Sequence, residues 1–456
     1  MIFKNTRVLV IGMARSGIAA AALLLREGAV PLLNDTKPLD AFGHDLDAFL
    51  HTACEPHLGE NPLDLLPGCG LVVISPGVPI DAPVVKKANE LGVPLIGEME
   101  LAFSLLKGTV IAVTGTNGKT TTVTLLGELF RNAGHTVHVG GNIGYPLSAI
   151  AMDSREGDSV ITEVSSFQLE SIQSFHPQTA AILNITEDHL NRHHTMNAYI
   201  ALKQRVFENQ SHNDLAVLNF DDVVVRRMAE NIPSKVAWFS RLSTVDSGVY
   251  LQGETVISVL GGNVTPVCKA SEIRIPGPHN LENAMAATAI ALAHGIAPEV
   301  IRHTLMTFAG VEHRIETVRT VNGVTYINDS KGTNVASTLK AIQSMTTPTV
   351  IILGGYDKHT DFCELTAAVA QTSEIEHAVL IGETAEQIET SLVQNGFQAF
   401  THAQSLHEAV EKAGELAVPG GAVLFSPACA SFDMFRDYEH RGAVFKEIVS
   451  RLNDMD

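Results

Sequence analysis

Positive charge is in short supply. Lysine and arginine total 31 against 50 aspartates and glutamates, a formal net charge of −19. Tracking a nucleic-acid backbone needs a basic surface, so the balance argues against a nucleic-acid partner. Small anionic ligands are not excluded, because local loops hold them. Cysteine is sparse too: Cys54, Cys69, Cys268, Cys363 and Cys429 are widely spaced and form no C-x-x-C pair. That pattern points to a reduced, cytoplasmic enzyme. No apolar run reaches the roughly 18 residues needed to span a bilayer, so no membrane partner is expected. Lys4 and Arg7 precede apolar residues, but Arg15, Ser16 and Gly17 interrupt the run. It reads as strand, turn and helix rather than as a secretion signal. Repeats and low-complexity segments are also absent.

What is present is apolar bulk: 45% of 456 residues are hydrophobic. A chain of this length predicts about two to four domains. Short Val/Ile/Leu runs alternate with Ala/Leu/Glu-rich stretches. This is the pattern of an α/β protein with parallel sheets covered by helices. Three segments are expected: 1–99 and 310–456, both Rossmann-like, and a central ATP-binding segment at 100–309. Within the central one, 236–275 reads as antiparallel, with a turn at Gly261-Gly262, and a long helix starts at His279-Asn280. In the third, Asn322-Gly323 predicts a hairpin between 315–321 and 324–327.

The strongest local signal is Thr114-Gly115-Thr116-Asn117-Gly118-Lys119-Thr120-Thr121, between a strand-like run at 110–113 and a helix-like one at 123–130. Backbone N–H groups and a helix N-terminus can face the phosphates of ATP. A lysine neutralises them, and the next hydroxyl reaches Mg²⁺. The usual spelling G-x-x-x-x-G-K-[ST] has a first glycine where this chain has Val113. In the first segment, Gly12 and Gly17 match the outer glycines of G-x-G-x-x-G, and Asp35 stands where an acid meets a ribose. Ala14 replaces the middle glycine, so NAD is disfavoured; another nucleotide pose and a purely structural turn both remain open.

Polar groups close several strands. Glu163 ends one and, with Thr120, can supply oxygen to Mg²⁺. His189 ends another. His189 and His193 are four residues apart, but the glutamate of H-E-x-x-H is missing, so a zinc hydrolase is not expected. His193 and His194 read as structural. Lys203 shares a helix face with Tyr199 and Phe207, and by spacing alone its ammonium reaches solvent. In the third segment, 328–331, 354–358 and 426–431 close three strands and predict a crevice. Cys429 there reads as a buried small hydrophobe.

Seven motifs in chain order carry a resemblance over essentially the whole chain: Gly115–Thr120, Glu163–Glu170, Asn184–His189, His279-Asn280, His313-Arg314, Asn328–Lys331 and Ser426–Ser431. The chain resembles the Mur ligases of bacterial peptidoglycan synthesis. The resemblance implies an ATP-dependent amide ligase of three domains, joining D-glutamate to UDP-N-acetylmuramoyl-L-alanine through an acyl phosphate. It implies UDP-substrate contacts at Gly12, Arg15, Ser16, Gly17, Asp35, Thr36, Ser75, Gly77 and Asn142. ATP contacts are implied at Gly115, Thr116, Asn117, Gly118, Lys119, Thr120, Thr121, Asn280, Arg314 and Asp329. D-glutamate is implied at Thr333, Lys358, Ser431 and Tyr438. Lys119, Glu163, His189 and Lys203 are implied as catalytic. Two Mg²⁺ are implied at Thr120, Glu163, His189 and Lys203, the lysine as a carbamate. A carbamate converts a cation into an anionic oxygen ligand, which a hard divalent ion prefers. Tyr356 and Tyr438 stand where several relatives differ, and the Asp-Asn-Pro-Arg motif of the diaminopimelate-adding branch is absent. The expected state is a cytoplasmic monomer. The alternatives are a sister ligase adding L-alanine to UDP-N-acetylmuramate and a non-catalytic nucleotide sensor.

Overall fold

A computed structural model describes residues 3–42, 44–49, 51–357 and 360–453. They fall into two compact units, Met1–Phe308 and Ala309–Asp456.

The first unit holds two sheets. In the first, β1 (Arg7–Ile11), β2 (Val30–Asp35), β3 (Glu55–Leu58), β4 (Leu71–Ile74) and β5 (Leu95–Gly97) run parallel in the order β3-β2-β1-β4-β5. The order reverses between β1 and β4, where loops diverge and leave a crevice at the strands' C-terminal ends. The second sheet contains β6 (Thr109–Thr114), β7 (Val137–Gly141), β8 (Ser159–Glu163), β9 (Thr179–Ile182) and β10 (Leu215–Asn219). It continues with β11 (Lys235–Ser240), β12 (Gly248–Gln252), β13 (Thr255–Ser258) and β14 (Thr265–Lys269). The order is β14-β13-β12-β11-β10-β9-β6-β8-β7, so β6 lies between β8 and β9, at the switch point.

The stretch 236–275 meets its antiparallel expectation over β12–β14 and departs from it at β11. β11 pairs parallel with β10 and with β12; only β12-β13-β14 is antiparallel. Apolar alternation reports which face is buried, not which way the neighbour runs.

The two sheets of this unit share one continuous core. Val8, Val10, Ala20, Leu23 and Leu24 of the first part cluster with Val110, Leu147, Ile150 and Val160 of the second. Arg26 Nη1 adds a bond to the Met152 carbonyl at 2.6 Å. On its other face the second sheet is covered by the helices Lys119–Asn132 and Pro278–Ala293.

The second unit carries β15 (Glu316–Val321), β16 (Val324–Asn328), β17 (Thr349–Leu353), β18 (Ile375–Leu380), β19 (Phe400–His402) and β20 (Ala422–Phe425), in the order β15-β16-β20-β17-β18-β19. Only the β15–β16 pair is antiparallel. Its turn is Asn322-Gly323, with φ of 51° and 79°; a two-residue turn of this hand requires positive φ at both positions. Apolar clusters cover both faces of the sheet. Among the described residues no helix is long and apolar enough to cross a membrane.

The loop after β1 folds back tightly on its helix. A Cβ at Gly17 would lie 1.9 Å from the Gly12 carbonyl oxygen. Gly17→Ala is therefore expected to destabilise the protein by about 1–3 kcal/mol, as overpacking does. A thermal midpoint equal to that of the parent would show that the loop yields freely.

Candidate functional site

β6 ends at Thr114, and the helix Lys119–Asn132 begins after Gly118, which has φ of 85°. A Cβ at Gly118 would lie 2.2 Å from Asn283 Oδ1, so glycine is required both by conformation and by contact. Val113 explains the missing first glycine. It lies inside β6 opposite Glu163 of β8, and its side chain is fully buried. The turn starts at Gly115, so position 113 is a core position.

Asn184 braces the loop. Asn117 N donates to Asn184 Oδ1 at 2.8 Å, Asn184 Nδ2 donates to the Asn117 carbonyl at 3.1 Å, and Thr116 N donates to the Asn184 backbone carbonyl at 2.9 Å. Lys119 Nζ donates to the carbonyls of Gly115 and Thr116, each at 2.8 Å. Thr120 Oγ1 donates to Glu163 Oε2 at 2.8 Å, and Asn142 Nδ2 donates to Glu163 Oε1 at 2.8 Å. Thr121 is buried in the same helix turn. Asn280 Nδ2 bonds the Pro276 carbonyl at 2.7 Å, and Asn283 Nδ2 reaches Asn280 Oδ1 at 3.3 Å.

Lys203 departs from its spacing-based reading. Thr195 caps the helix Met196–Gln204, which turns Lys203 inward to 2% exposure. Its Nζ donates to the Gly115 carbonyl at 2.9 Å and reaches Thr114 Oγ1 at 3.3 Å. Burial, then the nearby Lys119 charge, push its pKa down to about 7. Snorkelling fails because this helix face packs under the loop, with the Tyr199 ring 4.8 Å from the ammonium.

His189 has positive φ, at 53°, and its ring lies 4.9 Å from Phe167. His193 is buried and bonded to Ser166 Oγ at 2.9 Å, as a structural histidine should be. His194 is exposed, so its structural reading is corrected: the short helix Leu190–His193 ends before it.

The crevice at the β1/β4 switch is a cavity of about 350 Å³. Gly12, Ser16, Asp35, Ser75, Gly77 and Asn142 line it, with Val78 and Gln168. Asp35 Oδ2 accepts from Met13 N at 2.7 Å, and Ser75 Oγ donates to the Gly12 carbonyl at 2.7 Å, which fixes the loop's shape. Arg15 and Thr36 are exposed beside it, and Gly17 is buried behind it.

In the second unit, Asp329 closes β16. It accepts from Ser426 Oγ at 2.6 Å and from Ile315 N at 3.2 Å, and burial pushes its pKa up to about 6. Arg314 is half-buried in the preceding loop, and Thr333 follows in the loop after β16. Ser431 is buried after β20. Asp437 caps the helix Tyr438–Ser450, and Lys331 Nζ lies 5.8 Å from the Tyr438 ring. Lys358 lies outside the described residues. Tyr356 is 39% exposed and meets Phe432 edge to face. Cys429 is buried and bonded to Thr384, and burial pushes its thiol up to about 11, which makes it a poor nucleophile.

Three polar groups escaped the sequence reading. Asn283 sits one helical turn after Asn280, a spacing that could have exposed it. Arg192 holds Glu170. Arg441 is 1% exposed and donates to Ser330 Oγ and to the carbonyls of Ser330, Cys429 and Ala430 at 2.9–3.1 Å. It ties the loops after β16 and β20 together. No motif marks it, because its partners are backbone oxygens.

The donor set under the phosphate loop suits a hard cation. Thr120 and Glu163 offer oxygen only, as Mg²⁺ prefers. Among the described residues no group of three or more His, Cys, Asp or Glu could hold a metal. Phosphate oxygens and water must complete such a site.

Arg441→Ala leaves up to four buried acceptors without a donor. It is expected to cost the second unit at least about 3 kcal/mol and to speed hydrogen exchange in 329–333 and 428–431. Unchanged exchange there would show that the guanidinium is not what joins these loops.

Comparison with known proteins places the chain in a family. Residues 6–97 match the Mur ligase MurD-like N-terminal domain, 113–291 the Mur ligase middle domain, and 313–429 the Mur ligase glutamate ligase domain. The chain is 44% identical over 454 residues to a UDP-N-acetylmuramoylalanine--D-glutamate ligase of Alkaliphilus oremlandii, covering 99% of this chain and 100% of the relative. It is 45% identical over 454 residues to the protein of the same name from Clostridioides difficile, with the same coverage. Among solved structures, MurF from Acinetobacter baumannii matches with a TM-score of 0.60 at 18% identity, over 97% of this chain and 93% of that one. The UDP-N-acetylmuramate-alanine ligase MurC from Thermotoga maritima matches at 0.59 and 17%, over 98% and 99%. At such identity the structures speak for the fold alone.

Proposed function

This chain belongs to the Mur ligase family, and on that premise we propose that it is the ATP-dependent ligase that adds D-glutamate to UDP-N-acetylmuramoyl-L-alanine in peptidoglycan precursor synthesis. One observation carries the reading. Glu163 accepts from Thr120 of the phosphate loop on one oxygen and from Asn142 of the cavity wall on the other. A single carboxylate thus separates the space for ATP from the space for the second substrate.

The segments are assigned as 1–99 for the UDP-linked substrate, 100–309 for ATP and 310–456 for the amino acid. Gly12, Arg15, Ser16, Gly17, Asp35, Thr36, Ser75, Gly77 and Asn142 would hold the UDP-linked substrate. Gly115–Thr121, Asn280, Arg314 and Asp329 would hold ATP. Thr333, Lys358, Ser431 and Tyr438 are assigned to D-glutamate. Cytoplasmic location and a monomeric state complete the proposal, in keeping with soluble nucleotide-linked substrates.

In the reaction, an oxygen of the L-alanyl carboxylate attacks the γ-phosphorus of ATP, and the bond to ADP breaks. The resulting acyl phosphate is attacked at its carbonyl carbon by the amine of D-glutamate. Inorganic phosphate leaves, the amine loses its proton, and the amide remains. Lys119 neutralises the phosphates throughout, and the backbone of 115–118 orients them. Mg²⁺, held through Thr120 and Glu163, would supply charge neutralisation on the transferring phosphoryl group.

A second ion would draw on His189 and on Lys203 as a carbamate. Three features support the carbamate. Lys203 is buried, it shares an acceptor with Lys119, and its pKa near 7 leaves much of it as the free amine at neutral pH. The free amine adds to carbon dioxide, forming the N–C bond and releasing one proton. Because that proton is lost, carbamate occupancy is expected to rise as pH increases through about 7. Isotope-labelled bicarbonate with carbon NMR measures it, and an absent signal at high bicarbonate would reject the modification. Before modification, the fold holds fewer protons on Lys203 than the unfolded chain between about 7 and the ordinary lysine value. Stability therefore rises with pH across that window.

The deciding assay combines the protein, ATP, Mg²⁺ and UDP-N-acetylmuramoyl-L-alanine with each amino acid in turn. Phosphate release is expected with D-glutamate. Release only with L-alanine and the unsubstituted nucleotide would identify the sister ligase, and no release with any substrate a sensor. Lys119→Ala is expected to lower turnover by at least about 100-fold. Lys203→Ala is expected to lose activity that an added short carboxylic acid partly restores; full activity without it would refute the role.

A further inference from the structure

The UDP-linked substrate carries its nucleotide at one end and its reacting carboxylate at the other. The two subsites must therefore be held at a fixed separation, and they are built from different sheets. The Gly77-Val78 loop that follows β4 forms part of the cavity wall. Its carbonyls are met from the neighbouring part of the unit by one side chain. Arg192 Nη1 reaches the Gly77 carbonyl at 3.4 Å, and Nη2 reaches that of Val78 at 3.2 Å.

The same guanidinium is gripped from behind. Nε and Nη2 form a two-point pair with the Glu170 carboxylate, at 3.2 and 2.5 Å. The Glu170 side chain is 4% exposed, and its backbone carbonyl is held by Arg205 Nη1 at 2.9 Å. The guanidinium carbon lies over the Phe167 ring, 4.7 Å from its centre, and the same ring neighbours His189 at 4.9 Å and His193 at 5.4 Å. Gln168, between Phe167 and Glu170, is itself part of the cavity wall.

We propose that Arg192, locked by Glu170 and Phe167, is a positioning residue that sets the nucleotide-binding wall at Gly77-Val78 in register with His189, and so matches the enzyme to the length of its UDP-linked substrate. This rests on the function proposed above. Only arginine can do it. A planar fork can bond two carboxylate oxygens, two carbonyls and an aromatic face at once, whereas a lysine offers a single point. An ordinary surface ion pair would contribute little to stability. Here the partners are backbone carbonyls of a substrate wall, so the effect belongs to binding.

The test uses the full chain with Arg192→Ala, Arg192→Lys and Glu170→Gln. In Arg192→Ala, the KM for the UDP-linked substrate is expected to rise about tenfold, while the KM values for ATP and D-glutamate stay within about twofold. Arg192→Lys should recover less than half of the loss. Combining Arg192→Ala with Glu170→Gln should be no worse than the more impaired single variant, because the two act as one unit. Equal rises in all three KM values together with a lowered thermal midpoint would reduce Arg192 to a fold staple, and an unchanged KM for the UDP-linked substrate would also overturn the proposal. Titration with UDP alone separates the two hypotheses. If the parent binds UDP but forms no amide, the function fails, while about tenfold weaker UDP binding in Arg192→Ala still supports the clamp and equal binding rejects it.

Discussion

Two ammonium groups converge on one backbone oxygen. Lys119 and Lys203 both donate to the carbonyl of Gly115, and Lys203 is almost completely buried. Two like charges at one acceptor in a poorly solvated place are mutually unfavourable. The strain is relieved by neutralising one of them or by adding anions. A triphosphate does the second. Loss of the Lys203 proton does the first, and it leaves a nucleophilic amine that carbon dioxide can convert into an anion. The surrounding structure serves to hold this arrangement. Asn184 braces the loop from below, Thr195 caps the helix that carries Lys203, and Asn283 closes over Gly118.

The second unit meets burial of charge in a different way. Arg441 is nearly inaccessible, and it donates to a hydroxyl and to three backbone carbonyls, all neutral oxygens. Asp329 is also buried and accepts from a hydroxyl and an amide. Burial moves each toward its neutral form, down to about 10 for the arginine and up to about 6 for the aspartate. Asp329 follows β16, and Arg441 reaches from its helix to the loops after β16 and β20, where small residues allow close approach. At Gly355 an added Cβ would lie 2.4 Å from the Ala430 carbonyl and 3.3 Å from Arg441 Nη1. The loops after β16 and β20 are therefore shaped by backbone and by two buried ionisable groups that hold them.

Much of this was legible in the sequence, for a physical reason. Parallel strands buried on both faces are continuous apolar runs, and they end where polar residues begin. Glu163, Asn184, Asp329 and Ser426 are visible because each breaks such a run. The 322–323 turn is visible because so few residue pairs tolerate positive φ twice. The antiparallel run β12-β13-β14 was legible, but the parallel pairing of β11 was not, since alternation marks a buried face and is blind to polarity. Burial of Lys203 was hidden as well. The same spacing of Tyr199, Lys203 and Phe207 serves a snorkelling lysine and a sequestered one, and only what packs against the helix decides between them.

The arginines mark the limit of reading by motif. Arg192 and Arg441 each bind backbone carbonyls distant in sequence: Gly77 and Val78 for one, Ser330, Cys429 and Ala430 for the other. A carbonyl is contributed by every residue type, so such a contact leaves no compositional trace at the acceptor. Both arginines do the same work at different places: each fastens a loop at the C-terminal end of one strand to an element outside that strand. In a parallel sheet those loops form the site, yet the sheet's own hydrogen bonds stop where the loops start. Rigidity there has to come from side chains that reach in. Arginine is suited to this because one rigid plane satisfies several carbonyls while the covering apolar groups remain packed. The specificity of such a site is therefore written partly in residues that no substrate touches.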